Sequence, residues 1–235
     1  MLTTRTAPSS TPPCKICGGD APLFGVVDFA KQCNSLRPAL SGTPVYYRQC
    51  GQCRFVFTDA FDSWSLAEFR ERIYNAEYDA VDPDYRDRRP RANANLIATR
   101  VKPGMTCLDY GGGNGRLAQL LRQRGFDAHS YDPFTPGEDD LPAGIFGLVS
   151  CFEVLEHVPD PRATIAALAS KMSASGVVLF STLLMPDDQG VDWWYLAPRN
   201  GHISLFSRAA LALAWRLVGC RVGSLSDDLH IARWH

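Results

Sequence analysis

The run Leu108-Asp109-Tyr110-Gly111-Gly112-Gly113-Asn114-Gly115 constrains the fold more than any other part of this chain. It sets an acidic strand end against a turn with glycine at 111, 113 and 115, where the missing Cβ permits positive φ and close approach of a ligand. Arg116-Leu117-Ala118-Gln119-Leu120-Leu121 follows as a helix whose N-terminus faces that turn. Strand, glycine turn and helix in this order predict a docking edge for an adenosine-type cofactor. A dinucleotide fingerprint counted from Gly111 needs a glycine at 116, where Arg116 stands, and this disfavours NAD and FAD.

Two further segments arrive at the spacing such a fold demands. Ala128-His129-Ser130-Tyr131-Asp132 reads as a second strand ending in an acid about 20 residues past the first glycine, where a carboxylate can accept both ribose hydroxyls. The apolar run Ile145-Phe146-Gly147-Leu148-Val149-Ser150-Cys151-Phe152 suits a buried parallel strand, and it leads into Glu153-Val154-Leu155-Glu156-His157-Val158-Pro159-Asp160-Pro161. Arg162 to Met172 reads as a helix, Gly176 to Thr182 as a buried strand and Ala209 to Val218 as another helix. Arg221 to Leu225 and Leu229 to Trp234 flank Ser226-Asp227-Asp228 in the manner of a hairpin.

The Asp109-x-Gly111-x-Gly113-x-Gly115 pattern, the acid at 132 and the E-V-L-E-H-V-P-D-P segment together resemble the class I S-adenosylmethionine (SAM) dependent methyltransferases, over about residues 103 to 235. The resemblance is most specific to the branch that includes ubiquinone-pathway O-methyltransferases and many small-molecule and sugar-modifying enzymes. It implies an α/β fold with a Rossmann-like, doubly wound sheet of seven strands, or of six with the third shortened. The segment between Asp132 and Ile145 has two prolines in its first four positions, which argues for the shortened form and leaves Asp140 and Leu141 as guesses for the adenine side.

The same resemblance implies cofactor contacts at Asp109, Gly111, Gly113, Asp132, Phe152 and Glu153, and methyl transfer to an oxygen, nitrogen or carbon of a small molecule. Glu153, Glu156 and His157 fall at i, i+3 and i+4, so a helix starting there would present all three on one face. That face holds either a general base at His157 oriented by a glutamate, or a divalent ion, as the resemblance suggests. His202 is a second candidate base, on a glycine turn after the aromatic cluster Trp193-Trp194-Tyr195. The segment Gly201-His202-Ile203-Ser204-Leu205-Phe206 resembles a recurrent piece of the same branch. This stretch is expected to shape the acceptor pocket, with local core or a homodimer contact as the competing readings.

Cysteine placement supplies the second strong signal. Of eight cysteines, Cys14-Lys15-Ile16-Cys17 and Cys50-Gly51-Gln52-Cys53 form two C-x-x-C knuckles, a pattern suited to a closed tetrahedral zinc site of four thiolates. Cys33 lies between them as a spare ligand. Redox pairs or disulfides are the alternative, weakened by the absence of a secretory pattern. Cys107, Cys151 and Cys220 sit beside apolar strands and read as buried hydrophobes. The order of zinc module before methyltransferase resembles sugar C-methyltransferases, which suggests a sugar or nucleotide-sugar acceptor.

The expected organisation is a flexible tail at 1–13, a zinc-ribbon-like module at 14–60, a helical bridge at 61–102 and the methyltransferase domain at 103–235. The bridge carries Tyr74, Tyr78 and Tyr85, read as a lid over the cofactor or as packing between modules, and Arg86, Arg88, Arg89 and Arg91, read as a solvated face interspersed with Asp84 and Asp87. A formal net charge of −1 gives no electrostatic case for nucleic acid. No apolar run approaches the length of a membrane span, and a cytoplasmic protein is expected. The rival class is a non-catalytic SAM-binding adaptor whose zinc module recruits a partner.

Overall fold

The computed structural model describes residues 11–33, 39–135 and 140–235. Residues 1–10 of the expected tail lie outside them. The first elements are strands β1 (Leu23–Asp28), β2 (Pro44–Gln49) and β3 (Val56–Phe57), then helices α1 (Leu66–Arg72), α2 (Tyr78–Val81) and α3 (Arg88–Ala98). The remainder is β4 (Thr106–Tyr110), α4 (Arg116–Arg122), β5 (Asp127–Tyr131), β6 (Phe146–Phe152), α5 (Pro161–Lys171), β7 (Met172–Ser181), β8 (Ser204–Leu205), α6 (Arg208–Leu217), β9 (Cys220–Ser224) and β10 (Leu229–Trp234).

The larger sheet has the order β5-β4-β6-β7-β10-β9. Its first four strands are parallel, and β10 pairs antiparallel with both β7 and β9. Six strands with the sheet ending at β5 match the six-stranded form expected with the third strand shortened or lost: among the described residues no strand lies between Tyr131 and Phe146. Strand β6 is buried at five of its seven positions, as a strand covered on both faces should be, which is why its sequence is a continuous apolar run. One hydrophobic cluster, with Leu108, Val149, Phe180 and Trp215, fills one side of the sheet, and another, with Ile97, Leu117 and Leu121, lies where α3 and α4 pack.

The helix starts are chemically marked. Ser65 and Glu68 form a reciprocal capping box at α1, Asp160 caps α5 with Pro161 in its first turn, and the Ser207 hydroxyl accepts from Ala210 N at α6. Where the spacing predicted a helix from Glu153, the chain forms a short 3₁₀ turn at Leu155–His157. Val158 precedes proline and is extended, so a regular helix cannot start before Pro161. Glu153 itself has φ 54°, a left-handed conformation unusual for a residue with a side chain.

The N-terminal strands form a second sheet of order β1-β2-β3-β8. Its last strand comes from the Gly201–Phe206 stretch: Val56 pairs with Leu205 and Phe57 with Ser204. The knuckle residues Cys14, Ile16, Cys50 and Cys53 share a core with the large sheet. The 14–60 segment is therefore completed in space by residues far along the chain. The described helices include none long and apolar enough to cross a membrane.

Candidate active site and cysteine cluster

The glycine turn after β4 is held from both sides. Gly111 N and Gly112 N both donate to Tyr131 O, at 2.7 and 3.1 Å. Gly111, Gly113 and Gly115 all have positive φ. A Cβ on Gly111 would fall well inside contact distance of Val154 Cγ2, and one on Gly112 would lie 2.7 Å from Asp109 Oδ2 and against Ser130 Oγ. A Cβ on Gly113 would meet nothing within 4 Å, because it would point into a cavity.

The cavity has a volume of about 520 Å³. Asp109, the glycine turn, Asp132, Phe152 and Glu153 line it, so it gathers all the expected cofactor contacts. Asp132 Oδ2 accepts from Gly113 N at 2.9 Å and Oδ1 from Phe134 N at 2.8 Å, which fixes the carboxylate at the cavity edge. Asp109 is buried; Ser150 Oγ donates to its Oδ1 at 2.8 Å. Burial pushes the Asp109 carboxyl up to about 7, against the Ser150 hydrogen bond and with help from the negative charge of Asp132.

The opposite wall comes from the 61–102 segment. Tyr74 meets Phe134 with ring centroids 4.9 Å apart, Tyr74 meets Tyr78 at 5.1 Å and Tyr78 meets Tyr85 at 5.5 Å. All four rings line the cavity, so the tyrosines both pack between segments and cover the pocket. Arg86, Arg88 and Arg91 form the expected exposed face, paired with Asp79, Asp84 and Asp87. Arg89 departs from that reading: it turns to the cavity and makes a bidentate pair with Asp82, at 2.9 and 3.0 Å.

Glu153 and His157 also line the cavity, whereas Glu156 and His202 are buried and absent from its surface. Ser181 Oγ donates to Glu153 Oε1 at 2.6 Å and accepts from Glu153 N at 2.9 Å, bracing the left-handed residue. Glu156 Oε1 accepts from Tyr195 OH at 2.5 Å, and its Oε2 has no partner. Burial holds the Glu156 carboxyl far above the ordinary carboxylate range, with the charge of Glu153 adding to this. His157 is half-buried, its Nδ1 enclosed without a partner. Burial, then the neighbouring His202 and Arg89, depress its pKa strongly.

His202 sits behind His157, ring centroids 4.9 Å apart, rather than on a free turn. Its Nδ1 meets Tyr195 O at 2.7 Å, Tyr47 OH donates to its carbonyl at 2.7 Å, and burial lowers its pKa to about 4. Ligand atoms of Glu156, His157 and His202 lie within 4.8 Å of one another. The expected trio of Glu153, Glu156 and His157 is thus not the one the fold brings together; the left-handed turn at Glu153 sends its carboxylate to Ser181. Trp193 and Tyr195 are buried in local core and Trp194 is exposed. Tyr195 and Ser181 carry much of this arrangement, yet neither spacing nor residue type marked them individually.

The four knuckle cysteines converge. Cys14 Sγ lies 3.6 Å from Cys53 Sγ and Cys17 Sγ 3.3 Å from Cys50 Sγ, with all four sulfurs within 4.8 Å of one another. A tetrahedral zinc with Zn–S of about 2.3 Å requires sulfur separations of about 3.8 Å, so this donor set fits the ion. Ile16 N points at Cys14 Sγ and Gln52 N at Cys50 Sγ, both at 3.4 Å, as thiolates favour. Cys33 is not part of this group; its sulfur is 3.3 Å from His202 Nδ1. Cys107, Cys151 and Cys220 are buried as expected.

Comparison with known proteins agrees with the fold. The chain is similar to the ubiquinone biosynthesis O-methyltransferase of Pectobacterium atrosepticum, 27% identical over 148 residues, covering 48% of this chain and 60% of the relative. It is 34% identical over 114 residues to the enzyme of the same name from Xanthomonas campestris, covering 38% of this chain and 48% of that one. The chain therefore spans about half the length of the curated relatives it matches. Among solved structures, the 1,6-didemethyltoxoflavin-N1-methyltransferase of Burkholderia thailandensis superposes with a TM-score of 0.54 at 12% identity, over 83% of this chain and 96% of that one. The family model described as methyltransferase domain matches residues 81–225, well over half of the sequence, and the chain belongs to that family.

Proposed function

We propose that the chain transfers the methyl group of SAM to a nucleophilic atom, most simply a hydroxyl oxygen, of a small-molecule acceptor. The observation that carries this reading is a single cavity joining the glycine turn and Asp132 to Glu153 and His157 beneath a wall of aromatic rings. Asp132 is suited to the ribose hydroxyls, and the open space at Gly113 to close passage of the cofactor. Displacement at a sulfonium methyl needs the nucleophile in line behind it, so the protein must chiefly orient both partners and exclude water. Aromatic faces and the Glu153 carboxylate favour the positive sulfonium in such a space.

His157 is the candidate base because it lines the cavity beside Glu153; burial keeps its ring neutral and lowers its affinity for a proton, so it must accept one in concert with methyl transfer. Arg89 is the one ammonium or guanidinium among the described lining residues and is already paired with Asp82. A flat apolar ring, or the C–H face of a sugar, suits these walls better than a diphosphate. The unpartnered Glu156 Oε2 and His157 Nδ1 favour a second reading, in which Glu156, His157 and His202 hold a divalent ion behind the cavity and the ion supplies Lewis acidity. The 14–60 segment is read as a structural zinc module and 61–102 as the lid.

The test is calorimetry with S-adenosylhomocysteine (SAH) and NADH, followed by labelled SAM in a metabolite extract. SAH should bind, NADH should not, and label should enter a small molecule. SAH binding with no transfer into any fraction would favour the adaptor; no SAH binding would refute the cofactor assignment.

A further inference from the structure

Lys15 stands between Cys14 and Ile16 in the first knuckle, and its ammonium leaves that knuckle altogether. Nζ donates to Thr58 O at 3.1 Å and to Pro159 O at 3.0 Å, pairs with Asp62, and lies 5.4 Å from the Phe57 ring centroid. All three ammonium protons are thereby used, and the side chain is only 14% exposed. Pro159 and its neighbours His157 and Val158 line the cofactor cavity. They lie in a stretch without regular helix, whose carbonyls are taken by distant donors: Ile203 N on Glu156 O at 2.8 Å and Ser204 Oγ on Val158 O at 2.8 Å.

We propose that Lys15 is a positioning residue that couples the four-cysteine cluster to the cavity wall, so that metal loading of the cysteines orders the 157–160 segment and tightens cofactor binding. The physical route is short. Four ligated thiolates fix the knuckle backbone on either side of Lys15, and a fixed backbone lowers the entropy lost when the ammonium is held on Pro159 O. Without the ion, the knuckle can relax and the same hydrogen bond must order a looser segment. The wall would then open locally while the sheet stayed folded.

The experiment compares the zinc-loaded full chain, the same chain after chelation, and Lys15→Met, which keeps most of the apolar stem and removes the ammonium. Amide exchange by mass spectrometry is read on peptides covering 155–160, zinc content by elemental analysis, and SAH affinity by calorimetry. Lys15→Met should retain its zinc, exchange about tenfold faster over 155–160 and bind SAH several-fold more weakly. Chelation of the wild-type chain should speed exchange in the same peptides, whereas chelation of Lys15→Met should add little there, because the link is already cut. Fully additive effects, or unchanged exchange over 155–160 in either case, would overturn the coupling.

If Lys15→Met does not fold, Asp62→Ala takes its place. It removes an acceptor that is 46% exposed and should give a smaller change in the same peptides; no change would count against the proposal. The affinity arm rests on the cavity being the SAM site, but the exchange arm does not. Absence of SAH binding to the wild-type chain would therefore refute the proposed function while leaving the coupling to be decided by exchange.

Discussion

Neighbouring glycines of the turn after β4 should fail in different ways when given a methyl group. At Gly111, φ is 72°, and a Cβ meets Val154, with Cγ1 at 3.3 Å and Cγ2 closer still. The left-handed backbone costs an alanine about 1–2 kcal/mol, and overpacking a fixed neighbour adds about 1–3 kcal/mol, so Gly111→Ala should lose about 2–5 kcal/mol of stability. At Gly113, φ is 56° and a Cβ would meet nothing within 4 Å, so Gly113→Ala should lose only the backbone part, about 1–2 kcal/mol, and weaken SAH binding instead. The clash part can be isolated. In Gly111→Ala/Val154→Ala the methyl has room, and the double variant should be more stable than the sum of the singles by about 1–3 kcal/mol, read from urea unfolding at constant m-value. Additivity within about 0.5 kcal/mol, or equal stability losses at 111 and 113, would refute this account of the turn.

Asp132→Ala should raise the SAH dissociation constant about tenfold to a hundredfold, and it should also cost about 1–3 kcal/mol in unfolding experiments, because Gly113 N and Phe134 N both lose their acceptor. An unchanged affinity in a folded variant would remove Asp132 from the ribose site. Elemental analysis should find about one zinc per chain, and Cys14→Ser should raise protease susceptibility within 14–60 while the large sheet keeps its unfolding transition; equal protease resistance with and without metal would refute a structural ion. Asp109 should make stability fall with rising pH. Burial raises its pKa in the folded state to about 7 from the ordinary 3.8, so the folded state binds the extra proton between these values. The wild-type chain should lose about 4 kcal/mol relative to Asp109→Asn as pH rises from about 4 to 7, with no further loss above that. A difference that stays flat across this window in urea titrations would show that Asp109 is not held in its acid form.

Much of the large sheet was legible because its signals are local. A fully apolar β6, the glycine run after β4 and the acid closing β5 each report a backbone state or a burial pattern within a few residues, and their order reproduces the sheet. The two prolines after Asp132 pointed to a third strand shortened or lost, and among the described residues none lies between Tyr131 and Phe146. Cysteine spacing found the cluster, because the two sulfurs of each C-x-x-C knuckle already face a common centre. What stayed hidden depends on partners distant in sequence. Nothing near Glu156 shows that Tyr195 will donate to it, and nothing near β3 shows that Ser204 and Leu205 will extend its sheet. His202 looked like a free turn residue for the same reason: Tyr47, which pins its carbonyl, lies 155 positions away.

The Glu153–Pro161 segment shows why a motif can be easy to read and its geometry hard. Its residues were marked by chemistry, but most of the hydrogen bonds that give it shape come from elsewhere. Ser181 braces Glu153, Ile203 N donates to Glu156 O, Ser204 Oγ to Val158 O and Lys15 Nζ to Pro159 O, alongside the internal bond from His157 N to Val154 O. A helix would have satisfied those carbonyls from within, and the i, i+3, i+4 spacing anticipated one. With Pro159 and Pro161 excluding it, the carbonyls are open to the stretch around β8 and to the first cysteine knuckle, while β7 braces Glu153 through its amide and carboxylate. The segment that carries Glu153 and His157 to the cavity is therefore shaped by three parts of the chain at once. A perturbation in the stretch around β8 or in the cysteine knuckle should reach the cavity before it reaches the large sheet.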